Sequence, residues 1–317
     1  MNYDIFNGDA DGICALIQLR LADPKPSQLI TGVKRDIQLV QKVEAKANDC
    51  LTILDISLAK NITAVQSLLN QGTHILYIDH HQTGEVPTHP HLKTLLNTDA
   101  NVCTSLIANQ YLQGQFQLWA IVGAFGDNLL SSAFAAAKNL NLREAQLTQL
   151  QQLGTYINYN AYGTDLSDLH IAPDQLFKQL LPYHSPFDFI EDNTALFTQL
   201  QTAYNSDLAE AEKITPEFTN EEVCIICLPD QAWARRVSGV YSNLLANQNP
   251  QRTHAILSPI SPEAYQVSVR AALNNKQGAD KFCAQFATGG GRAAAAGINE
   301  LPKTQLANFI TGMKKFF

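Results

Sequence analysis

The chain has 317 residues, 45% hydrophobic and 16% charged, an ordinary globular composition that excludes a disordered or low-complexity protein. No apolar run approaches the roughly 18 residues of a membrane span, and six scattered cysteines exclude a disulfide-stapled secreted scaffold, so the expectation is a soluble, cytoplasmic protein. The formal charge of −7 is uneven: residues 1–222 carry 12 Lys and Arg against 25 Asp and Glu, a balance of −13, whereas residues 223–317 carry 10 against 4, a balance of +6. That swing, in a chain long for one core, predicts two domains with different tasks, the second suited to anions.

In chain order, short apolar runs alternate with helical patterns. "YDIF" precedes a helix over 12–22, "LITGV" a helix over 36–47 and "LTILDIS" a helix over 60–71; "HILYIDHH" and a longer helical region from about 102 follow. This alternation predicts an α/β unit with a largely parallel sheet. Residues 134–215 read as helical, broken at Pro173, Pro182 and Pro186, with 191–214 as a connecting helix and "TPEFTNEE" as a linker. A second α/β region opens at "VCIICL" and runs through a helix near 233–247, "THAILSPI", "AYQVSVRAAL" and the glycine run "FATGGGRAAAAGI". The expected organisation is a parallel-sheet domain over 1–190, a helical linker over 191–222 and a smaller α/β domain over 223–317.

Three strands of the first domain end in acidic or imidazole groups: Asp9 and Asp11 after "YDIF", Asp55 in "LTILDIS", and Asp79, His80 and His81 closing "HILYIDHH". A fourth element, "LWAIVGAFGDNLL", supplies Asp127. An aspartate at a strand end is common and also caps helices, but a parallel sheet gathers its carboxyl ends at one edge, where α/β proteins hold ligands. Several acids crowded there repel unless a divalent metal pair neutralises them. Cys224 and Cys227 form a CxxC without a second metal-ligand pair, and strand alternation sends them to opposite faces, so they read as packing residues. His89, His91 and His184 lie in Pro-rich loops and the Arg235-Arg236 pair at a helix start; neither group is expected in the site.

The order Asp9-Ala10-Asp11-Gly12, Asp55, Asp79-His80-His81 and Asp127, followed by a glycine run, resembles the DHH phosphoesterase superfamily, and "VSVR" with "GGGRAAAAG" resembles the smaller domain that accompanies DHH in its RecJ-type and nano-RNase-like branches. The resemblance implies two metal ions, Mn²⁺ or Mg²⁺, with Asp9 and Asp55 on one and Asp11, Asp55, His80 and Asp127 on the other. It implies His81 beside the scissile phosphate as acid or hydrogen-bond donor, and Asp79 as the group orienting the imidazoles. Substrate phosphate would meet Arg270, Gly289, Gly290, Gly291 and Arg292.

Two positions depart from the family pattern. Many members carry a histidine four residues before the first aspartate, where this chain has Ile5, as RecJ-type members also lack it; Asn7 or water then completes that shell. The family's GGGH run is Gly289-Gly290-Gly291-Arg292 here, which keeps anion binding, because backbone N–H groups and a guanidinium both hold phosphate.

The implied activity is metal-dependent hydrolysis of phosphodiester bonds in short oligonucleotides or dinucleotides. The acidic overall charge disfavours long nucleic acid, which calls for a wide basic surface. Pyrophosphate, polyphosphate or phosphonucleotide hydrolysis and a non-catalytic nucleotide-binding module stand as alternatives; a homodimer is an allowed assembly and no membrane partner is expected.

Overall fold

The computed structural model describes residues 1–317, which divide into two units, Met1–Thr202 and Ala203–Phe317. The first begins with β1 (Asn2–Phe6), a run buried on both faces as a central parallel strand must be. Its one charge, Asp4, is neutralised by Arg20, whose Nε donates to Asp4 Oδ2 at 2.7 Å while Nη2 donates to Oδ1 and, at 3.0 Å, to Thr52 Oγ1. Helix α1 (Ala10–Ala22) follows without a linker, buried almost around its circumference. β2 (Gln28–Ile30), β3 (Cys50–Leu54), helix α2 (Leu58–Asn70), β4 (His74–Asp79) and β5 (Leu92–Leu96) complete a five-stranded sheet of order β2-β1-β3-β4-β5, every pair parallel.

The chain leaves β1 towards β2 on one side and resumes at β3 on the other. The carboxyl ends of β1 and β3 therefore flank a topological switch point, the crevice at which open α/β sheets hold ligands. One sheet face is sealed by Tyr3, Ile5, Leu51, Ile53, Ile75 and Tyr77 packed against α2. α1 packs against α3 (Thr104–Tyr111), α4 (Gln117–Gly126) and α6 (Glu144–Asn160). Gly123, Gly126 and Gly154 permit this closeness: a Cβ on Gly154 would stand 2.2 Å from the Val122 carbonyl oxygen.

Two sequence expectations change. Residues 36–47 form only a single 3-10 turn, Leu39–Lys42, in a loop; Leu39 and Val40 are buried in the sheet core, which one turn achieves without a full helix. β5 is an added strand, hidden in the sequence because it is only partly buried and carries Lys93 at an exposed position. Helices α5 (Leu130–Ala137), α7 (Pro173–Leu180), α8 (Pro186–Asp192) and α9 (Thr194–Ala211) follow, the proline breaks falling at the first turns of α7 and α8 where proline is tolerated. The division at Thr202/Ala203 falls inside α9.

The second unit is a six-stranded sheet of order β10-β11-β9-β8-β7-β6, built from β6 (Phe218–Thr219), β7 (Val223–Cys227), β8 (Thr253–Ser261), β9 (Ala264–Arg270), β10 (Gly289–Gly291) and β11 (Ala295–Pro302). Only β7 and β8 pair in parallel. Helix α10 (Ala232–Gln248) packs on β8 and β9, while α11 (Ala279–Cys283) and α12 (Leu306–Phe316) contribute Phe282, Phe309 and Met313 to a core with Val223, Ile225, Val267 and Val269. No helix of the chain is long and apolar enough to cross a membrane.

Candidate metal centre at the sheet edge

Asp9 leaves β1 and caps α1: its Oδ1 accepts from the Asp11 and Gly12 amides at 3.0 and 3.1 Å. Asp11, in the first turn of α1, turns away from that helix; its two oxygens accept from the Thr104 and Ser105 amides, each at 2.7 Å, so it is the anion at the N-terminus of α3. Asp55 ends β3 with φ +58°, a left-handed conformation that costs roughly 1–2 kcal/mol outside glycine and is tolerated best by Asn and Asp. Its amide donates to the Ile78 carbonyl at 3.1 Å and Thr104 Oγ1 donates to its Oδ1 at 3.2 Å, which holds the strained residue in place. Asp127 ends α4, partly open to solvent.

His80 faces this group. Its Nδ1 lies 2.9 Å from the Val102 carbonyl, which can only accept, so in the neutral ring Nδ1 carries the proton and Nε2 presents a lone pair. Nε2 stands 3.5 Å from Asp55 Oδ1, 3.9 Å from Asp11 Oδ2 and 3.9 Å from Asp127 Oδ2. His81 turns the other way: Nδ1 donates to Asp79 Oδ1 at 2.7 Å, and the side chain is 40% exposed, leaving Nε2 for an incoming group. Asp79 itself is fully buried. Burial opposes the charged imidazolium of His81, but the Asp79 bond and charge outweigh it and raise its proton affinity above the ordinary range.

Sequence reasoning missed Lys34. It follows β2, and its Nζ donates to Asp9 Oδ2 and, at 3.0 Å, to Asn158 Oδ1, with Asp127 Oδ1 at 3.7 Å. Burial alone would raise the Asp9 pKa; the Lys34 ammonium and the helix amides bring it below the usual carboxylate range instead. At Asp55 the balance is reversed: burial first, then the charges of Asp11 and Asp9, push its carboxyl well above that range, against the opposing pull of His81, whose Nδ1 lies 3.9 Å from Asp55 Oδ1. The carboxylates of Asp11, Asp55 and Asp127 thus gather around His80 Nε2.

Donor atoms of Asp11, His80 and Asp127, and those of Asp55, His80 and His81, lie within 4.8 Å of one another. An oxygen-rich set with a single unprotonated imidazole nitrogen fits a hard or borderline divalent ion such as Mn²⁺ or Mg²⁺. The position expected at Asp9 is different. Ile5 is fully buried in the core and offers no donor, while Asn7 is engaged, its Oδ1 accepting from the Asp9 amide at 3.3 Å and its Nδ2 donating to the Lys34 carbonyl at 3.2 Å.

In the second unit, β9 brings Arg270 and Ser268 to one face, where Arg270 Nη1 donates to Ser268 Oγ at 3.0 Å and Nε to Asn243 Oδ1 at 2.9 Å. Gly289–Gly291 form β10, and Arg292 begins the tight turn into β11, closed by mutual Arg292–Ala295 backbone bonds at 2.9 and 3.1 Å. Gly291 has φ +145° and lies so close to β11 that a Cβ would meet Ala296 Cα at 2.4 Å, whereas Gly290 faces open space. Arg292 is exposed. Cys224 is buried in β7 and Cys227 half-buried; burial raises both thiols, Cys227 to about 11, the inert state of packing cysteines.

No family model matches the chain, and no curated protein is detectably similar to it. Solved structures are. A manganese-bound exonuclease RecJ matches 99% of this chain and 89% of its own at 15% identity and TM-score 0.60. RecJ of Thermus thermophilus in complex with Mn²⁺ matches 99% at 13% identity and TM-score 0.59, this chain spanning 51% of it. The pGpG-specific phosphodiesterase PggH of Vibrio cholerae matches 99% of this chain and 100% of its own, at 12% identity and TM-score 0.57. With a five-stranded parallel sheet, a second sheet and this near-complete coverage, the chain has the fold of the RecJ and PggH structures.

Proposed function

We propose that this chain is a divalent-metal-dependent phosphodiesterase acting on short oligonucleotides or linear dinucleotides. The observation that carries the reading is His80 Nε2, its lone pair aimed at Asp11, Asp55 and Asp127 while its other nitrogen is fixed by Val102. A bound ion supplies Lewis-acid polarisation of a phosphoryl oxygen and an acidified water. The protein does the rest. Asp11, anchored on the α3 amides, and Asp55, held by Thr104, keep the acidic wall rigid. His81, held by Asp79, which raises its proton affinity, donates to a non-bridging phosphate oxygen or delivers a proton to the leaving oxygen. We assign the grip on a further phosphate to Arg270, the Gly289–Gly291 backbone and Arg292.

The size of the substrate rests on charge, since the chain is acidic overall and that disfavours long polyanions, and on the fold it shares with a pGpG-specific phosphodiesterase. Manganese is the metal of first choice, since the RecJ structures carry it.

A length series tests the reading: 5′-labelled RNA and DNA of two to about twenty nucleotides, with cyclic dinucleotides, a phosphonucleotide and pyrophosphate alongside, in Mn²⁺. Mononucleotide release fastest from dimers and short oligomers is the expected result. Equal rates at all lengths would remove the short-substrate assignment, and metal binding without turnover of any of them would leave a binding module.

A further inference from the structure

We propose that the Lys34 ammonium takes the place of a second cation at this sheet edge, so that the first unit holds one divalent ion, on Asp11, Asp55, His80 and Asp127. This rests on the metal-dependent reading above and departs from the two-ion expectation drawn from the sequence.

Five observations converge. Lys34 Nζ lies among Asp9 Oδ2, Asn158 Oδ1 at 3.0 Å and Asp127 Oδ1 at 3.7 Å, a set of oxygens that suits an ammonium's three donors. Its backbone is pinned on both sides, the amide donating to the Ala161 carbonyl at 2.8 Å and the carbonyl accepting from Asn7 Nδ2 at 3.2 Å. Gly8 lets this segment close on the β1–α1 turn, because a Cβ there would stand 2.1 Å from the Gly32 carbonyl oxygen.

A metal on Asp9 would also find few ligands. Asp9 Oδ1 is committed to two helix amides, Oδ2 already meets a full positive charge, Asn7 is engaged and Ile5 has no donor. Finally, both donor triads share His80, whose single lone pair can bind one ion only. Asp127 then spans the two cations, Oδ1 towards Lys34 and Oδ2 towards His80. One of the two positive charges at this edge is thereby fixed in the chain.

Counting bound Mn²⁺ on the full chain tests this, by calorimetric titration and by electron paramagnetic resonance. The wild type is expected to bind one ion with the spectrum of an isolated Mn²⁺. Lys34→Ala and Lys34→Gln, which free Asp9, are expected to bind two, close enough for exchange coupling, and Asp9→Asn in either background is expected to return the count to one. Two ions on the wild type would overturn the proposal, and so would a count of one in both folded Lys34 variants. Turnover separates this from the functional reading: one ion without hydrolysis refutes the phosphodiesterase and keeps the ammonium, while hydrolysis with two ions does the reverse.

Discussion

The two units treat charge in opposite ways. Residues 1–202 bury seven aspartates, and residues 203–317 bury one, Asp207, which meets Arg236. Of the seven, Asp4, Asp9, Asp49 and Asp79 face Arg20, Lys34, the N-terminal ammonium and His81. Asp11 and Asp55, with half-open Asp127, converge on an imidazole lone pair, an arrangement that is costly unless a cation joins it. The second unit keeps its arginines near the surface and packs its glycine strand against backbone. The first unit gathers carboxylates at a sheet edge, a setting that suits a cation; the second exposes Arg292 at a turn, a setting that suits an anion.

The largest effect should come from the charge-burying side. His80→Ala removes the one imidazole ligand, and Mn²⁺ affinity, measured by titration, should fall by about 100-fold or more, beyond the 10–100-fold typical of an outer-sphere partner. Next is Asp79→Asn, which leaves the charge wall intact but loosens His81 and lowers its proton affinity. Turnover should drop by roughly 10–100-fold with Mn²⁺ affinity little changed; an equal loss of both would mean that Asp79 merely supports the fold.

On the anion side the effect should be smaller and should appear in KM. Arg292→Ala is expected to raise KM by about tenfold, near 1.4 kcal/mol, at unchanged kcat. A fall in kcat instead would place Arg292 in the chemistry and blur the division between the units.

The smallest expected effect concerns pH. His254, buried in β8 with Nδ1 lacking a hydrogen-bond partner, is pushed down to about 4, first by burial and then by Arg252. Because its folded pKa lies below the unfolded value near 6.5, the unfolded chain binds the proton first. The second unit's stability is therefore complete above about pH 6.5 and declines towards pH 4, by about 1 kcal/mol between pH 7 and 5.5. Denaturant melts of His254→Leu should lack that decline; an identical decline would assign it elsewhere.

Much of the first unit was legible because a parallel sheet turns strand order into geometry: an acid that ends β1, β3 or β4 must arrive at one edge. Lys34 obeys the same rule at the end of β2, yet a search for metal-ligating side chains passes over a lysine. Asn158 was beyond reach, since it comes from α6 and only tertiary packing brings it to Lys34. The helix expected over 36–47 had the periodicity but not the partners, and burial of Leu39 and Val40 on the sheet decided for a loop. In the second unit the strand alternation of "VSVR" puts Ser268 and Arg270 on one face, where they are hydrogen-bonded. What the glycine run needs glycine for, at Gly291 above all, appears only once β11 lies against it.

The most direct measurement is the rate of mononucleotide release from a 5′-labelled linear dinucleotide by the wild-type chain, in Mn²⁺ and after chelation. The account predicts turnover that chelation abolishes and that Mn²⁺ restores. Turnover unaffected by chelation, or none with Mn²⁺ bound, would contradict it.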